Sequence, residues 1–274
     1  MENDKQRNDW HSAFRQAIKV ELLEYEKFLE FLEEYSLTTE PLRIDCIIVK
    51  KPKDLVIEKN FARFFKEINI IEYKSPGDFL SIKDFYKVYA YTSLYSFLEK
   101  GAITEKTITF VVSRTPKKLF KYLRGIRKYS VEKTSIGIYN VIGDYYPIQV
   151  INTSKVSENE NLLLKCLTSN LKSPLLNSLL TESKRHKEWR GLLAAYFNVI
   201  VTANEERFKE AYKMATKTLE DILREVGALE NIEARGKQEI AKNMINMGFS
   251  IDVISKATEM EPEKIKSLMA QSIN

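Results

Sequence analysis

In "WHSAFRQAIKVELLEYEKFLEFLEEY", residues 10–35, apolar side chains recur at spacings of three, four or seven. Phe14, Ile18, Tyr25, Phe28, Leu32 and Tyr35 would form one buried stripe, which predicts a single amphipathic helix over 10–35. Glu21 interrupts that stripe, with Leu22 beside it to carry the packing. The period then changes. "PLRIDCIIVKK" (41–51) reads as a short strand entered at Pro41, with Arg43, Asp45, Ile47 and Val49 on one face and Ile44, Cys46 and Ile48 on the other. Both faces are largely apolar, so Asp45 is expected near a core.

Residues 58–67 predict a short helix leading into a strand at 68–74, where Ile70, Glu72 and Lys74 share a face. "SPGD" turns the chain, and 81–99 predicts a tyrosine-rich helix capped by Ser81 with Asp84 as its capping-box partner. "KTITFVVS" (106–113) is a third strand, and Pro116 opens a helix over 116–129. "IGIYNVIG" and "YPIQVI" add two strands joined as a hairpin across Gly143 to Tyr146. From about residue 157 only helical periodicity remains, and Gly227, Gly236 and Gly248 punctuate the end of the chain. Strands separated by helices predict an α/β core over 1–155, a helical extension over 156–225 and a small helical module over 226–274.

Charge adds what periodicity does not show. The net charge is only +5 over 274 residues, but it is unevenly spread. Residues 1–40 carry 5 basic and 10 acidic side chains, 41–128 carry 19 and 9, and 129–274 carry 19 of each. The basic excess is therefore confined to the segment holding the central strands, which points to an anionic partner, nucleic acid first. No apolar run reaches the roughly 18 residues of a membrane span. "MENDKQRNDW" has no signal-peptide pattern, and two cysteines (Cys46, Cys166) make no disulfide framework, so a cytoplasmic setting is expected. Two cysteines and two histidines, each pair far apart in sequence, argue against a structural zinc site.

Asp45 and Glu72, on strands that would be neighbours, supply hard oxygen donors for Mg²⁺, which commonly takes only one or two carboxylates. Such an ion polarises a phosphodiester and acidifies water. Lys74 would orient that water and stabilise developing charge. Lys87 and Tyr91, four apart on the next helix, would stand behind this group. Lys117, Lys121, Arg124 and Lys128 fall at i, i+4, i+7 and i+11, along one helix face suited to a phosphate backbone. By spacing alone E-x-K is common, and a strand-end ion pair accounts for it equally well. No G-x-S-x-G and no P-loop is present, and no motif surrounds either histidine.

With these residues in place, the chain resembles the PD-(D/E)XK nuclease superfamily, and within it the transposase-associated branch of recombination-promoting nucleases. The resemblance covers about residues 10–150. The superfamily's acid on one strand and (D/E)-x-K on the next match Asp45 and Glu72 with Lys74, and its upstream helical glutamate matches Glu21. "PLRIDCIIVKK" and "NIIEYKSPGDFLSIKDFYKVYAY" look like stretches typical of that branch, although Ile44 stands where a proline is usual. The resemblance implies a restriction-endonuclease-like fold and Mg²⁺-dependent DNA cleavage (Mn²⁺ substituting) linked to transposition or recombination. It implies no organic cofactor and is compatible with a homodimer. The alternative is a catalytically silent DNA-binding or adaptor protein that kept the fold. The tail 241–268 is reminiscent of a helix-turn-helix, but its lysines and acids balance, which favours packing or oligomerisation over base reading.

Overall fold

The computed structural model describes residues 2–36, 43–50, 52, 54–99, 104–186, 189–208 and 228–272. The chain divides into two compact units, Met1–Lys213 and Met214–Asn274.

The first unit opens with α1 (Glu2–Glu21), a 3-10 turn (Leu23–Phe28) and β1 (Leu29–Ser36). This corrects the single helix expected over 10–35. The spacing of Tyr25, Phe28, Leu32 and Tyr35 is helical, but β1 lies antiparallel on β2 (Arg43–Lys50), with Phe31 opposite Ile48 and Tyr35 opposite Ile44. Glu33 and Glu34 fold back onto Arg15 and Lys19 of α1, with Arg15 Nε 3.0 Å from Glu33. Tertiary pairing overrides local periodicity here.

β3 (Ile68–Tyr73) is antiparallel to β2, and β4 (Lys106–Val112) is parallel to β3. The crossover is α2 (Ile82–Leu98), where Ser81 and Asp84 form the expected capping box. The helix expected over 58–67 is instead a run of turns tied by Ala62 N–H to Lys59 O and Phe65 N–H to Ala62 O. Its ten residues hold apolar groups that the sheet buries (Phe61, Ala62, Phe65), so packing decides its path.

α3 (Lys117–Gly125) is followed by β5 (Ser130–Ser135), β6 (Ile138–Ile142) and β7 (Ile148–Asn152). The β6–β7 hairpin is as expected. β5 is not, because it is polar and mostly exposed and lacks an apolar alternation. The result is a seven-stranded mixed sheet in the order β1-β2-β3-β4-β7-β6-β5.

α2 and α3 cover one face, where Ile47, Ile70, Phe85, Val88, Phe110, Leu119 and Leu123 belong to one buried cluster. On the other face Tyr73 stacks on Phe14 of α1, with ring centroids 4.6 Å apart. Buried Asn69 on that face accepts from Lys66 N–H and Thr107 Oγ1, anchoring the turn segment to β3 and β4. The helices that follow, α4 (Leu162–Lys165), α5 (Ser173–Arg185), α6 (Trp189–Leu192) and α7 (Ala194–Ala203), belong to the same unit. α7 packs against α1, where Tyr196 N–H donates to Gln16 Oε1 at 2.8 Å.

The second unit holds α8 (Ala228–Asn246), α9 (Ile251–Thr258) and α10 (Pro262–Ser272) around Ala241, Ile254, Met260, Ile265 and Leu268. Gly248, at φ +80°, makes the turn between α8 and α9. Among the described residues, no helix is long and apolar enough to cross a membrane.

Candidate active site

Asp45 and Glu72 meet where β2 and β3 part. The last paired residues are Cys46 and Ile71, so the next step sets Asp45 opposite Glu72. There the Asp45 side chain replaces the ladder: its Oδ2 accepts from Tyr73 N–H at 2.9 Å. Ile47 and Ile70, one pleat earlier, face α2, and Glu72 continues that face to Lys87 of α2, whereas the Asp45 carboxylate, at the end of the paired region, reaches His11 of α1.

Glu72 is only 3% exposed, and both of its lysine contacts go to Oε1. Lys74 Nζ donates to it at 3.0 Å and Lys87 Nζ at 2.8 Å. Lys74 also donates to Asp84 Oδ1 at 3.0 Å. Asp84 and Lys87 lie three apart on α2, and Tyr91 continues the stripe with its ring centroid 5.5 Å from Lys87 Nζ. The capping box therefore does two things at once. Asp84 Oδ2 accepts from Ser81 N–H and Oγ, while Oδ1 grips the lysine.

The electrostatics follow from burial and partners. Burial pushes the Asp45 carboxyl up, but His11, whose Nδ1 lies 3.3 Å from Oδ1, the Tyr73 N–H and the Lys87 charge outweigh it and hold Asp45 below its ordinary value. Burial pushes Lys74 down, but Glu72 and Asp84 more than offset it, so its pKa is raised. Burial likewise opposes ionisation of Asp84, yet the Ser81 bonds and Lys74 bring it to about 2. Lys74 is thus a firmly charged donor and unsuited to accept a proton near neutrality.

Two of the expected site residues are placed elsewhere. Glu21 is not in this group: it is buried at the end of α1, where Oε1 accepts from Leu163 N–H at 3.0 Å and Oε2 pairs with Lys59. Burial raises its pKa against the pull of Lys59. It caps α4, so its role is to join α1 to the helices that follow. Lys128 lies past the end of α3, in a left-handed conformation at φ +60°, and does not extend the cationic stripe. Gly125 and the Ile126 cap end the helix first. Lys117, Lys121 and Arg124 remain exposed on α3 and line a shallow depression of about 460 Å³ with Phe120.

The sequence pattern gave no sign of His11 or of the second role of Asp84. His11 carries no motif and reaches Asp45 only because α1 packs beside β3. The S-x-x-D box was legible as a cap, but its contact with Lys74 required the β3–α2 turn.

Among the described residues, no group of three or more histidine, cysteine or acidic side chains is arranged to hold a metal ion. The donor set is two carboxylates from adjoining strand ends. That set still suits a hard cation that keeps most of its water, because Mg²⁺ is commonly bound through one or two carboxylates. Around them Lys74 pairs with Glu72 and Asp84, and Lys87 with Glu72. Comparison of the chain with protein-family models, with curated proteins and with solved structures finds no match.

Proposed function

We propose that the protein is a metal-dependent nuclease of the PD-(D/E)XK type, with a restriction-endonuclease-like core, that hydrolyses phosphodiester bonds in DNA. One observation carries the reading. An aspartate and a glutamate stand across from each other in register at the divergence of two central strands, with a lysine two residues on held charged beside the glutamate. The paired strands, the capped helix and the buried lysine are all consistent with a built site rather than a solvated strand end.

Asp45 and Glu72 would hold the cation, which when bound neutralises phosphate charge and acidifies water. His11 and the Tyr73 N–H fix the Asp45 carboxylate, and Lys87 fixes Glu72. Lys74 has three N–H donors, two of them spent on Glu72 and Asp84, so the third is left for the attacking water or a phosphate oxygen. In the reaction a water oxygen bonds to phosphorus and one P–O ester bond breaks, giving a phosphate monoester and an alcohol. The exposed cations of α3 would bind the phosphate backbone.

A second reading, a silent DNA-binding protein, draws on one feature: Glu72 is already satisfied by two lysines. Incubation of supercoiled plasmid with Mg²⁺ or chelator separates the two. The expected result is metal-dependent nicking or linearisation, reduced roughly 100-fold or more in Asp45→Asn and in Lys74→Met. Cleavage that Lys74→Met leaves unchanged would discard the site assignment. Binding without cleavage by the wild type would establish the silent reading.

A further inference from the structure

The loops at the carboxyl ends of β3 and β4 leave the sheet side by side, because these strands are parallel. Lys74 N–H donates to Val111 O at 2.9 Å, and Ser113 Oγ donates to Pro76 O at 3.2 Å, so the two loops are tied together. Close to these ties stands Phe79. It is 65% exposed although it sits five residues after the buried Lys74 and one before the buried Leu80. Arg114, from the neighbouring loop, lies over its ring with the guanidinium 5.0 Å from the centroid.

This arrangement is not explained by the core. Phe79 stands between the Ser75–Asp78 turn on one side and buried Leu80 with the capping box of α2 on the other, yet it offers its ring to water. Ser75 Oγ donates to Asp78 Oδ2 at 2.6 Å and Asp78 N–H to Ser75 O at 2.9 Å, closing the turn that presents it. A guanidinium on an aromatic face suits stacking with a further flat, polarisable ring. Five residues of chain cannot separate Phe79 from Lys74 by more than about 17 Å, a few nucleotides of a strand. Arg114 also precedes Lys117, the first cation of the α3 stripe, by three residues. In sequence the platform therefore lies between the candidate catalytic lysine and the candidate backbone-binding helix, on loops tied to each other at the ends of β3 and β4.

We propose that Phe79, backed by Arg114, is a base-stacking platform, and that the site prefers DNA with unpaired nucleotides beside the cut over continuous duplex. Bases in an intact duplex are already stacked on each other, whereas a base at a bubble, flap or end can leave the stack for an aromatic ring. This rests on the nuclease reading, which supplies the strand.

The test is equilibrium binding, with Ca²⁺ in place of Mg²⁺ to suppress cleavage. The probes are a duplex with a short central bubble carrying a fluorescent adenine analogue and the same duplex fully paired. The wild type is expected to favour the bubble and to quench the analogue by stacking. Phe79→Ala is expected to lose about tenfold in affinity for the bubble and to lose the quench, whereas Phe79→Trp keeps both. Phe79 is exposed, so the alanine variant should fold; an unchanged thermal transition verifies it. If Phe79→Ala binds and quenches like the wild type, the platform is refuted while the nuclease reading stands. If it weakens both probes equally with the quench intact, the platform is refuted again, and the ring is a general contact. A wild type that binds neither probe at low salt, and cleaves nothing, removes both readings together.

Discussion

Asp84 shows how much one side chain at this site is asked to do. It closes a helix cap and holds Lys74, and its carboxyl titrates at about 2 instead of 3.8. As pH falls, the unfolded chain takes up this proton before the folded one does. The stabilisation is therefore complete above about pH 4 and is lost as pH drops through about 2. Screening of a partly exposed group limits it to about 1 kcal/mol. Thermal unfolding followed across this range should show Asp84→Asn less stable at neutral pH and flatter on its acid limb. A parallel acid limb in the variant would mean that the bonds to Ser81 and Lys74 contribute nothing. Asp84 was readable as a cap from S-x-x-D alone. Its hold on Lys74 was not, because the two residues are ten apart and meet only through the turn after β3.

At the scale of elements, Glu21 separates architecture from chemistry. The sequence offered it as a helical carboxylate upstream of two strand acids. The structure spends it on the amino end of α4 and on Lys59. Removing it with Glu21→Ala would strand the buried Leu163 N–H and leave Lys59 only its bond to the Glu160 carbonyl, a loss of about 2 kcal/mol by chemical denaturation. Cleavage per folded molecule should be unaffected. A variant that folds fully but no longer cleaves would return Glu21 to the site. The break of the expected 10–35 helix has the same origin. Tyr25, Phe28, Leu32 and Tyr35 satisfy a helical period, yet β1 pairs with β2 on either side of Asp45, and its glutamates reach Arg15 and Lys19.

At the scale of the whole molecule, the relevant quantity is where the charge lies. The basic excess of residues 41–128 contains both the buried lysine of the site and the exposed cations of α3. If α3 binds a phosphate backbone, changing Lys117 and Lys121 to glutamine should lower the slope of log affinity against log salt by about one unit for each phosphate no longer neutralised. Lys128→Gln, beyond the helix end, should change it less. Equal effects from all three would show a diffuse field instead of a binding face.

By itself the sequence determined the α/β class, β2, β3, β4, the β6–β7 hairpin and α2 with its cap, and it singled out Asp45, Glu72 and Lys74. These depend on short-range rules: side chains alternate along a strand, and a capping box spans four residues. Only the tertiary structure decided that β1 is a strand, that polar β5 forms the edge of the sheet, that Glu21 caps α4 and that His11 and Asp84 join Lys87 around the two acids. Each of those outcomes turns on groups brought together across long stretches of chain, as Glu21 and Leu163 are across 142 residues. Hydrogen-bond partners and desolvation are properties of that assembled environment, and no local pattern of apolar and polar positions encodes which distant group will supply them.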